Sequence, residues 1–437
     1  MDDIQLDKYL ISAKIGVSTI FAEAVLMIDY IYRHMKDAFL RASAEYPAML
    51  MTGPRQTGKT TMLTRIMQEE GRNRTYVSLD DYDALTLASG DPVMFFQTYK
   101  PPLLIDEVQY APGLFRGIKR LIDKGAGPGD FWMTGSQLFR TMKGVQESLA
   151  GRLALFHLSS LSQQEIYPHF EAGIFRPDYK MFLDRKEKTC PLAAIDVFRR
   201  IFQGSMPALV SGKFTDRELY YSSYVKTYLE RDIRDITPGI DFLKFTNFIR
   251  AVAARTAQLV NYKHIADDSD LNQETAKTWL GLLETLGVIF FVKPYHHNTL
   301  KRMIKTPKLY FYDTGLVAYL TKWNSPETLM NGAMNGAFLE NYVTSEIIKS
   351  YENSGKEAPL YFYRDRDLKE IDLLLERDEV LEPIEIKKTA SPTKGMIASF
   401  MTLEKPPLRR GTGTLICLAE QLGAFDRDNL IVPVWLV

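Results

Sequence analysis

The chain has 437 residues, of which 46% are hydrophobic and 25% are charged, the composition of a folded globular protein with two to four domains. Lysine plus arginine and aspartate plus glutamate are equal at 54 each, so the overall charge does not attract nucleic acid, and any such contact needs a local basic patch. The two cysteines, Cys190 and Cys417, lie far apart in sequence, which excludes a disulfide framework and indicates a reducing compartment.

No stretch of the sequence approaches the roughly 18 unbroken apolar residues of a membrane span. Residues 10–28 are moderately apolar, but they contain Lys14 and Glu23 and lack a small-residue cleavage site, which argues against a signal peptide. We therefore expect a cytoplasmic protein that has no membrane partner.

The most specific motif runs from residue 53 to residue 60 and matches G-x-x-x-x-G-K-[ST] at every fixed position. A strand pattern at 48–51 precedes the motif and a helical pattern at 61–67 follows it. These flanking patterns favour a phosphate-binding loop over the alternative, a chance turn rich in glycine and lysine. Such a loop points backbone N–H groups at phosphates, while its lysine reaches the β- and γ-phosphates and its threonine binds Mg²⁺. We expect ATP and Mg²⁺ as ligands, and the predicted nucleotide-binding residues are Gly53, Pro54, Arg55, Gln56, Thr57, Gly58, Lys59, Thr60 and Thr61.

Strand patterns at 74–81, 103–107, 131–136 and 153–158 alternate with helical patterns. This alternation predicts an α/β fold, a P-loop NTPase with a parallel sheet whose ligands lie at the carboxyl ends of the strands. Asp106 and Glu107 lie at such an end, where Asp106 can hold Mg²⁺ and Glu107 can orient or deprotonate the attacking water. Acidic residues at a strand end are common, but together with the P-loop they predict ATP hydrolysis.

Two further residues complete the predicted catalytic set of Lys59, Glu107, Ser136 and Arg152. Ser136 could contact the γ-phosphate or the water as a sensor residue, or it could be an ordinary turn serine after Gly135. Arg152 precedes the last strand of the sheet, and it could reach the γ-phosphate of a neighbouring subunit in a homo-oligomer or form a structural salt bridge.

Helices are predicted at 245–258, 262–266 and 272–284, followed by strands at 288–292 and 308–312, the order of a winged helix-turn-helix. The third helix offers only Lys277 as a cation, which is little for binding in a DNA groove.

The predicted hairpin that follows is more basic. It could hold a DNA backbone without reading sequence, or it could be a solvated charged hairpin on a domain used for protein contacts. Its basic residues are Lys293, Lys301, Arg302, Lys305 and Lys308, with His296 and His297 near the tip.

The last part of the chain contains carboxylates and a lysine in a suggestive order. Glu340 lies in a predicted helix, Asp372 in a strand, and Glu385 and Lys387 on one face of the next strand. Asp372 could share a metal ion with Glu385, while Lys387 positions a water molecule. The pattern resembles the restriction-endonuclease-like fold, in which such a set binds Mg²⁺ and hydrolyses phosphodiesters. A surface salt-bridge network is the alternative, and the fold alone would not establish nuclease activity.

Beside the P-loop, the chain contains in order the motifs Ser78–Asp81, Ile105–Gln109, Thr134–Gln137, Glu147–Arg152, Tyr228–Asp232, Lys308–Leu316 and Gly336–Asn341. This series resembles prokaryotic AAA-type ATPases that carry a C-terminal domain of unknown function. The resemblance extends from about residue 27 to the end, and it implies an ATPase core, a helical and winged-helix middle and a nuclease-like C-terminal fold. It also implies that residues 1–26 are an added segment that packs poorly on the core.

We therefore predict an N-terminal extension (1–26), an AAA-type P-loop ATPase domain (27–165), a helical lid or linker (166–240), a winged-helix-like domain (241–330) and an α/β restriction-endonuclease-like domain (331–437). The first functional hypothesis is an Mg²⁺-dependent ATPase of the AAA/STAND type that couples turnover to the handling of DNA or a partner protein. The second is an ATP-gated, metal-dependent DNA nuclease. The third is a nucleotide-switched DNA-binding regulator without significant catalysis.

Overall fold

The structure is a computed structural model that describes residues 30–135, 149–167, 173–230, 233, 240–296, 306–365, 369–404 and 408–437. Several predicted features lie outside these residues, namely the extension 1–26, Ser136, His297, Lys301, Arg302 and Lys305. Among the helices of the described ranges, none is long and apolar enough to cross a membrane.

The first part of the chain forms a five-stranded, all-parallel sheet with the order β2-β3-β4-β1-β5. The three central strands are buried along their whole length, as expected for a parallel sheet covered on both faces. This sheet confirms the predicted P-loop NTPase architecture. Its strands are β1 (Ala48–Thr52), β2 (Thr75–Ser78), β3 (Leu103–Asp106), β4 (Phe131–Thr134) and β5 (Leu153–His157).

Each face of this sheet has its own hydrophobic core because side chains alternate along every strand. Met49 and Met51 of β1 pack with Trp132 on one face, whereas Leu50 packs with Phe131 on the other. Helices cover both faces, and they are α1 (Met35–Ser43), α2 (Lys59–Glu69), α3 (Tyr82–Gly90), α4 (Pro92–Thr98) and α5 (Leu114–Asp123).

A helical segment follows the sheet and leads to the second half of the chain. Its helices are α6 (Gln163–Ile166), α7 (Tyr179–Lys188), α8 (Ala194–Gln203), α9 (Pro207–Val210) and α10 (Arg217–Ser223), and α10 continues into a π-helical turn at Tyr224–Leu229. Tyr220, Tyr221 and Tyr224 are buried there, and Tyr228 is half-buried.

The next elements follow the order that the sequence predicts. Strand β8 pairs antiparallel with both β6 and β7, so three helices are combined with a small antiparallel sheet. The elements are α11 (Phe242–Ala253), β6 (Gln258–Leu259), α12 (Tyr262–Asp267), α13 (Gln273–Thr285), β7 (Ile289–Pro294) and β8 (Lys308–Phe311).

These strands do not form a separate sheet. Strand β7 also pairs in parallel with β9 of the C-terminal part, with Lys293 opposite Tyr361 and Pro294 opposite Phe362. The result is one nine-stranded sheet in the order β13-β14-β12-β11-β10-β9-β7-β8-β6, which crosses the predicted domain boundary at residue 330. The remaining elements are α14 (Thr314–Leu320), α15 (Pro326–Asn331), α16 (Asn335–Glu352), β9 (Leu360–Arg364), β10 (Glu370–Arg377), β11 (Val380–Lys387), β12 (Gly413–Cys417), β13 (Gly423–Asp426) and β14 (Asn429–Pro433), with 3₁₀ segments at Lys394–Glu404 and Val434–Leu436.

The long helix α16 is bound to β8 by a buried amide. The side chain of Asn341 accepts a hydrogen bond from the backbone N–H of Phe311 (2.7 Å) and donates one to the carbonyl of the same residue (2.9 Å). It also accepts a hydrogen bond from the hydroxyl of Thr256 (2.5 Å). One residue of α16 therefore connects the C-terminal part to both ends of the preceding module.

The last residue of α16, Glu352, makes a second connection. Its Oε1 accepts a hydrogen bond from the hydroxyl of Tyr312 (2.6 Å), and its Oε2 is enclosed without a partner among the described residues. Burial raises the pKa of Glu352 to about 7, although the Tyr312 hydrogen bond and the charge of Lys349 act to lower it. Folding therefore favours the protonated form of this carboxyl.

This raised pKa predicts a pH-dependent stability. The folded chain binds the proton of Glu352 more tightly than the unfolded chain, so the stabilisation is complete at low pH and is lost as pH rises through 7. Relative to Glu352→Gln, we expect the wild-type free energy of unfolding to fall by about 2–3 kcal/mol between pH 5 and 8. Urea unfolding at several pH values measures this difference. The exposed control Glu357→Gln should keep the wild-type slope, and an unchanged slope in Glu352→Gln would contradict the assignment.

Candidate nucleotide site and C-terminal carboxylate cluster

The P-loop connects the end of β1 to the first residue of α2. Gly53 has φ +131°, and a Cβ atom there would lie 2.3 Å from the carbonyl oxygen of Leu158, so only glycine fits. Gly58 has φ +89° and caps the N-terminus of α2. The loop thus ends at a helix N-terminus, where backbone N–H groups and the helix dipole favour an anion.

Lys59 lies across this loop. Its ammonium group donates hydrogen bonds to the carbonyl oxygens of Gly53 (2.9 Å) and Pro54 (2.7 Å), and the residue is buried. The hydroxyl of Thr57 donates to the same Pro54 carbonyl (2.9 Å). The positive charge of Lys59 is therefore held at the P-loop, as the motif requires. Thr61, another predicted nucleotide-binding residue, is exposed in the first turn of α2.

Thr60 and Asp106 meet at the carboxyl end of β3. The Thr60 hydroxyl donates to Asp106 Oδ1 (2.7 Å), the Thr134 hydroxyl donates to the same oxygen, and the Tyr76 hydroxyl donates to Oδ2 (3.2 Å). Mg²⁺ prefers oxygen ligands and is commonly held by one or two carboxylates together with substrate phosphates. This oxygen pair next to the P-loop therefore fits Mg²⁺, and Thr60 and Asp106 would hold it.

Glu107 follows Asp106 in a left-handed conformation, with φ +56°. Non-glycine residues rarely adopt this conformation, and they often do so at functional sites. Its backbone N–H donates to the Thr134 hydroxyl (3.1 Å), while its carboxylate accepts a hydrogen bond from Gln109 and lies 4.0 Å from the Arg55 guanidinium. The carboxylate is thus positioned beside a side chain of the P-loop.

Arg33 is a residue of the site that sequence reasoning missed. Its guanidinium donates to the P-loop carbonyl of Thr57 (2.6 Å), to the carbonyl of Ser159 (2.9 Å) and to the carboxylate of Glu165 (2.9 Å). Only 3% of Arg33 is exposed. Burial acts to raise the pKa of Glu165, but Arg33 and the backbone N–H of Ser162 outweigh it and lower that pKa.

One part of this arrangement is visible in the sequence. Ser162 and Glu165 form a capping box at the start of α6, and the spacing S-x-x-E is its known signature. Nothing in the local sequence around Arg33, however, identifies a partner 132 positions away.

The P-loop also touches the second half of the molecule through His157, the last residue of β5. Its ring lies 5.4 Å from that of Tyr312, and a Cβ atom at Gly287 would lie 2.6 Å from His157 and 2.9 Å from Pro54. Burial, with a contribution from the charge of Lys59, lowers the pKa of His157 to about 4, so this histidine is neutral. The P-loop is therefore packed directly against the turn before β7.

A cavity of about 410 Å³ opens beside the tip of the P-loop. Gln56, which has φ +63°, forms one wall, and one face of α10 and the π-helical turn forms the other. Tyr220 is 6% exposed and lines this cavity with a hydroxyl that has no partner among the described residues. Tyr224 and Tyr228 line it as well.

Arg152, a predicted catalytic residue, forms a surface ion pair. Its guanidinium lies 2.9 Å from Asp123, and the two side chains are 39% and 46% exposed. This is the salt-bridge alternative considered above, and an isolated surface pair of this kind contributes little to stability.

The structure brings the predicted C-terminal residues together. The Lys387 ammonium lies 2.5 Å from Glu385 and 3.4 Å from Asp372, and the backbone N–H of Ile386 donates to Asp372 (2.8 Å). Glu340 accepts hydrogen bonds from Lys308 (3.0 Å) and Tyr310 (2.7 Å). Lys308, which the sequence suggests as part of a DNA-binding hairpin, is instead buried in this cluster.

Electrostatics mark this cluster as rich in negative charge. Burial raises the pKa of Glu340 to about 7 and that of Glu385 to about 8, and in both cases the charge of Asp372 raises it further. Glu385 Oε2 is enclosed, and no described residue forms a hydrogen bond with it. Within the described parts of the chain, however, no group of three or more histidine, cysteine, aspartate or glutamate residues is arranged to hold a metal ion.

The contacts of Arg33 predict a strong dependence of stability on this residue. Arg33→Met leaves the carboxylate of Glu165 buried without its partner, so we expect a loss of about 3–5 kcal/mol in the free energy of unfolding. The matched control Arg65→Met removes an exposed ion pair with Glu69 and should cost less than about 1 kcal/mol. Urea unfolding measures both, and equal effects would contradict the role given to Arg33.

Comparison with protein families divides the chain into three parts. Residues 45–167 match the model of an AAA domain, residues 195–327 match a domain of unknown function (DUF8612), and residues 335–437 match another domain of unknown function (DUF4143). Uncharacterised proteins of Mycobacterium tuberculosis and Mycobacterium bovis are each 28% identical over 354 residues, which is 81% of this chain and 73% of the relative.

Two solved structures are also similar. The Walker-type ATPase of Pyrococcus abyssi is 14% identical, with 67% of this chain and 96% of that chain covered and a TM-score of 0.42. The Holliday junction branch migration motor of Thermotoga maritima is 15% identical, with coverages of 59% and 85% and a TM-score of 0.28. Because both TM-scores are below 0.5, we draw no conclusion from these two structures. The family match over residues 45–167 agrees with the P-loop and the five-stranded parallel sheet, which give this part of the chain a P-loop NTPase fold.

Proposed function

We propose that the protein binds ATP with Mg²⁺ and hydrolyses it, and that turnover drives the handling of DNA or of a partner protein. The observation that carries the proposal is the contact between Thr60 and Asp106 at the P-loop, with Glu107 next in the chain. A loop that only bound phosphate would not need the two adjacent acidic residues, Asp106 and Glu107, at the end of β3.

Each residue has a definite part in this proposal. The backbone N–H groups of residues 53–60 bind the phosphates, and Lys59 neutralises their charge. Thr60 and Asp106 hold Mg²⁺, which when bound neutralises charge on the phosphate oxygens. Glu107 orients the attacking water and accepts its proton, a task for which its carboxylate must exchange the hydrogen bond from Gln109 for one from water.

The contacts around α6 support a path from the P-loop to the C-terminal part. Arg33 joins the P-loop to Glu165, and the backbone N–H of Gln163 in the same short helix donates to Glu346 of α16 (2.6 Å). Lys349, one turn further along α16, donates to Glu346 (3.0 Å) and to the carbonyl of Leu161 (3.0 Å). We infer that a change at the P-loop reaches α16 through this buried network.

DNA is the partner that we favour. The order of α11, β6, α12, α13, β7 and β8 supports the interpretation of residues 241–330 as a winged helix. The basic hairpin and the C-terminal domain remain the predicted contact regions.

Two substitutions separate binding from catalysis. Lys59→Ala should abolish ATP binding because it removes the phosphate-neutralising charge, whereas Glu107→Gln should keep binding and lower the hydrolysis rate by about 10²–10⁴-fold. Binding of a fluorescent ATP analogue and release of phosphate measure the two effects.

The exposed control Glu45→Gln should behave like the wild type in both assays. Normal turnover by Glu107→Gln would remove the proposed role of Glu107. ATP binding without hydrolysis by the wild type would instead favour the nucleotide-switched DNA-binding regulator.

One observation favours a second candidate function, an ATP-gated, metal-dependent nuclease. Burial and the charge of Asp372 raise the pKa values of both Glu340 and Glu385, and Lys387 lies beside Asp372 and Glu385. A cation would relieve this excess of negative charge, and Lys387 could then position a water molecule.

A plasmid-cleavage assay tests this candidate. With Mn²⁺ or Mg²⁺ and ATP, the wild type should nick plasmid DNA and Asp372→Ala should not, because the shared carboxylate is lost. Glu357→Ala, which changes an exposed residue of the same domain, should cut like the wild type. No cutting by the wild type, or equal cutting by Asp372→Ala, would eliminate the nuclease.

A further inference from the structure

A second groove lies on the surface, away from the P-loop cavity and the carboxylate cluster. It has a volume of about 740 Å³ and is bordered by α1, by residues 173–188 including α7, and by the turn after α16. Six cationic side chains line it, against two acidic ones, although the chain as a whole has no net charge. The cationic residues are Arg41, Arg176, Lys180, Arg185, Lys188 and Lys356.

Helix α7 arranges part of this charge in a row. Lys180 and Lys188 are eight residues apart and share a face of the helix, with a separation along its axis of about 12 Å, and Asp184 lies between them on that face. Asp178, one of the two acidic residues, caps α7 by accepting a hydrogen bond from the Lys180 backbone N–H (2.9 Å). Its charge therefore interacts with the helix N-terminus, and both lysines are exposed residues.

Arg185 provides a fixed charge below this row. It is 6% exposed and donates a hydrogen bond to the carbonyl of Leu436 near the chain end (2.7 Å). Burial lowers the pKa of Arg185 to about 10, which still leaves the guanidinium protonated at neutral pH. The floor of the groove is therefore positive and anchored to the C-terminal part.

The lining of the groove favours a polyphosphate over an acidic protein. Protein interfaces are usually anchored by aromatic side chains in apolar pockets, and the described residues that line this groove include no aromatic one. Three of the six cations are arginines, whose planar guanidinium groups match phosphate oxygens in pairs. The absence of aromatic residues from this lining also removes the means of stacking bases, so contacts would be made to the backbone.

We propose that this groove binds the sugar–phosphate backbone of nucleic acid without reading its sequence. Arg41 lies in α1, eight residues after Arg33, whose guanidinium holds the P-loop carbonyl of Thr57. Nucleic acid in the groove would thus contact the helix that follows the P-loop anchor. The proposal extends the proposed function by locating a partner, and it does not require ATP hydrolysis.

The test measures binding of the full chain to a fluorescein-labelled 20-nucleotide single strand and to the matching duplex by fluorescence anisotropy over a series of salt concentrations. The groove variant combines Lys180→Gln, Lys188→Gln and Lys356→Gln. The control variant combines Lys100→Gln, Arg116→Gln and Lys124→Gln, three exposed residues of the ATPase domain, and changes the net charge equally.

We expect the groove variant to bind at least about tenfold more weakly and to lose about two to three from the slope of log affinity against log salt, since each phosphate contact contributes nearly one. The control variant should bind like the wild type. Basal ATP hydrolysis and thermal unfolding should be unchanged in both variants, because none of the three groove lysines contacts the P-loop residues described above.

Three results would overturn the proposal. The first is equal binding by the groove and control variants, and the second is loss of binding only when Lys301 and Arg302 of the hairpin are replaced. The third is binding of an oligoglutamate peptide but not of DNA, which would assign the groove to an acidic protein. Repeating the measurement with Lys59→Ala separates this proposal from the ATPase proposal, because binding to the groove should survive that substitution.

Discussion

The buried guanidinium of Arg33 is the interaction on which the arrangement of the P-loop, the segment after β5 and helix α6 depends. Taking such a charge out of water costs several kcal/mol unless every hydrogen-bond donor finds an acceptor. Its acceptors belong to the P-loop, to the segment after β5 and to the capping box of α6. These three segments therefore cannot separate without exposing or orphaning a charge, and the P-loop is held firmly to helix α6.

A second buried pair extends this constraint to the C-terminal part. Glu346 and Lys349 are almost fully buried, and they bind backbone groups of Gln163 in α6 and of Leu161 just before it. The same helix reaches β8 through Asn341 and Tyr312 through Glu352. Helix α16 thus contacts α6 and the residue before it, strand β8 and Tyr312, and these contacts account for its buried polar residues Asn341, Glu346 and Lys349.

Local patterns were sufficient to predict much of this structure. The P-loop, the strand ends at Asp106 and the helix–strand order of residues 242–311 all follow from short-range periodicity and turn chemistry. The residues that contact each other over long sequence distances could not be predicted from these local patterns. Arg33 and the basic groove come from segments far apart in sequence, and Lys308 is interpreted as a hairpin cation until the packing of α16 against β8 places it beside Glu340. Charge alone does not reveal which face of a strand a lysine occupies.

The pairing of β7 with β9 has a mechanical consequence. Backbone hydrogen bonds cross from the antiparallel three-stranded unit into the C-terminal strands. These two parts therefore cannot rotate about a flexible linker as independent domains do. Separating the three-stranded unit from the C-terminal strands would leave two unpaired strand edges. Such edges form hydrogen bonds with other chains and cause aggregation.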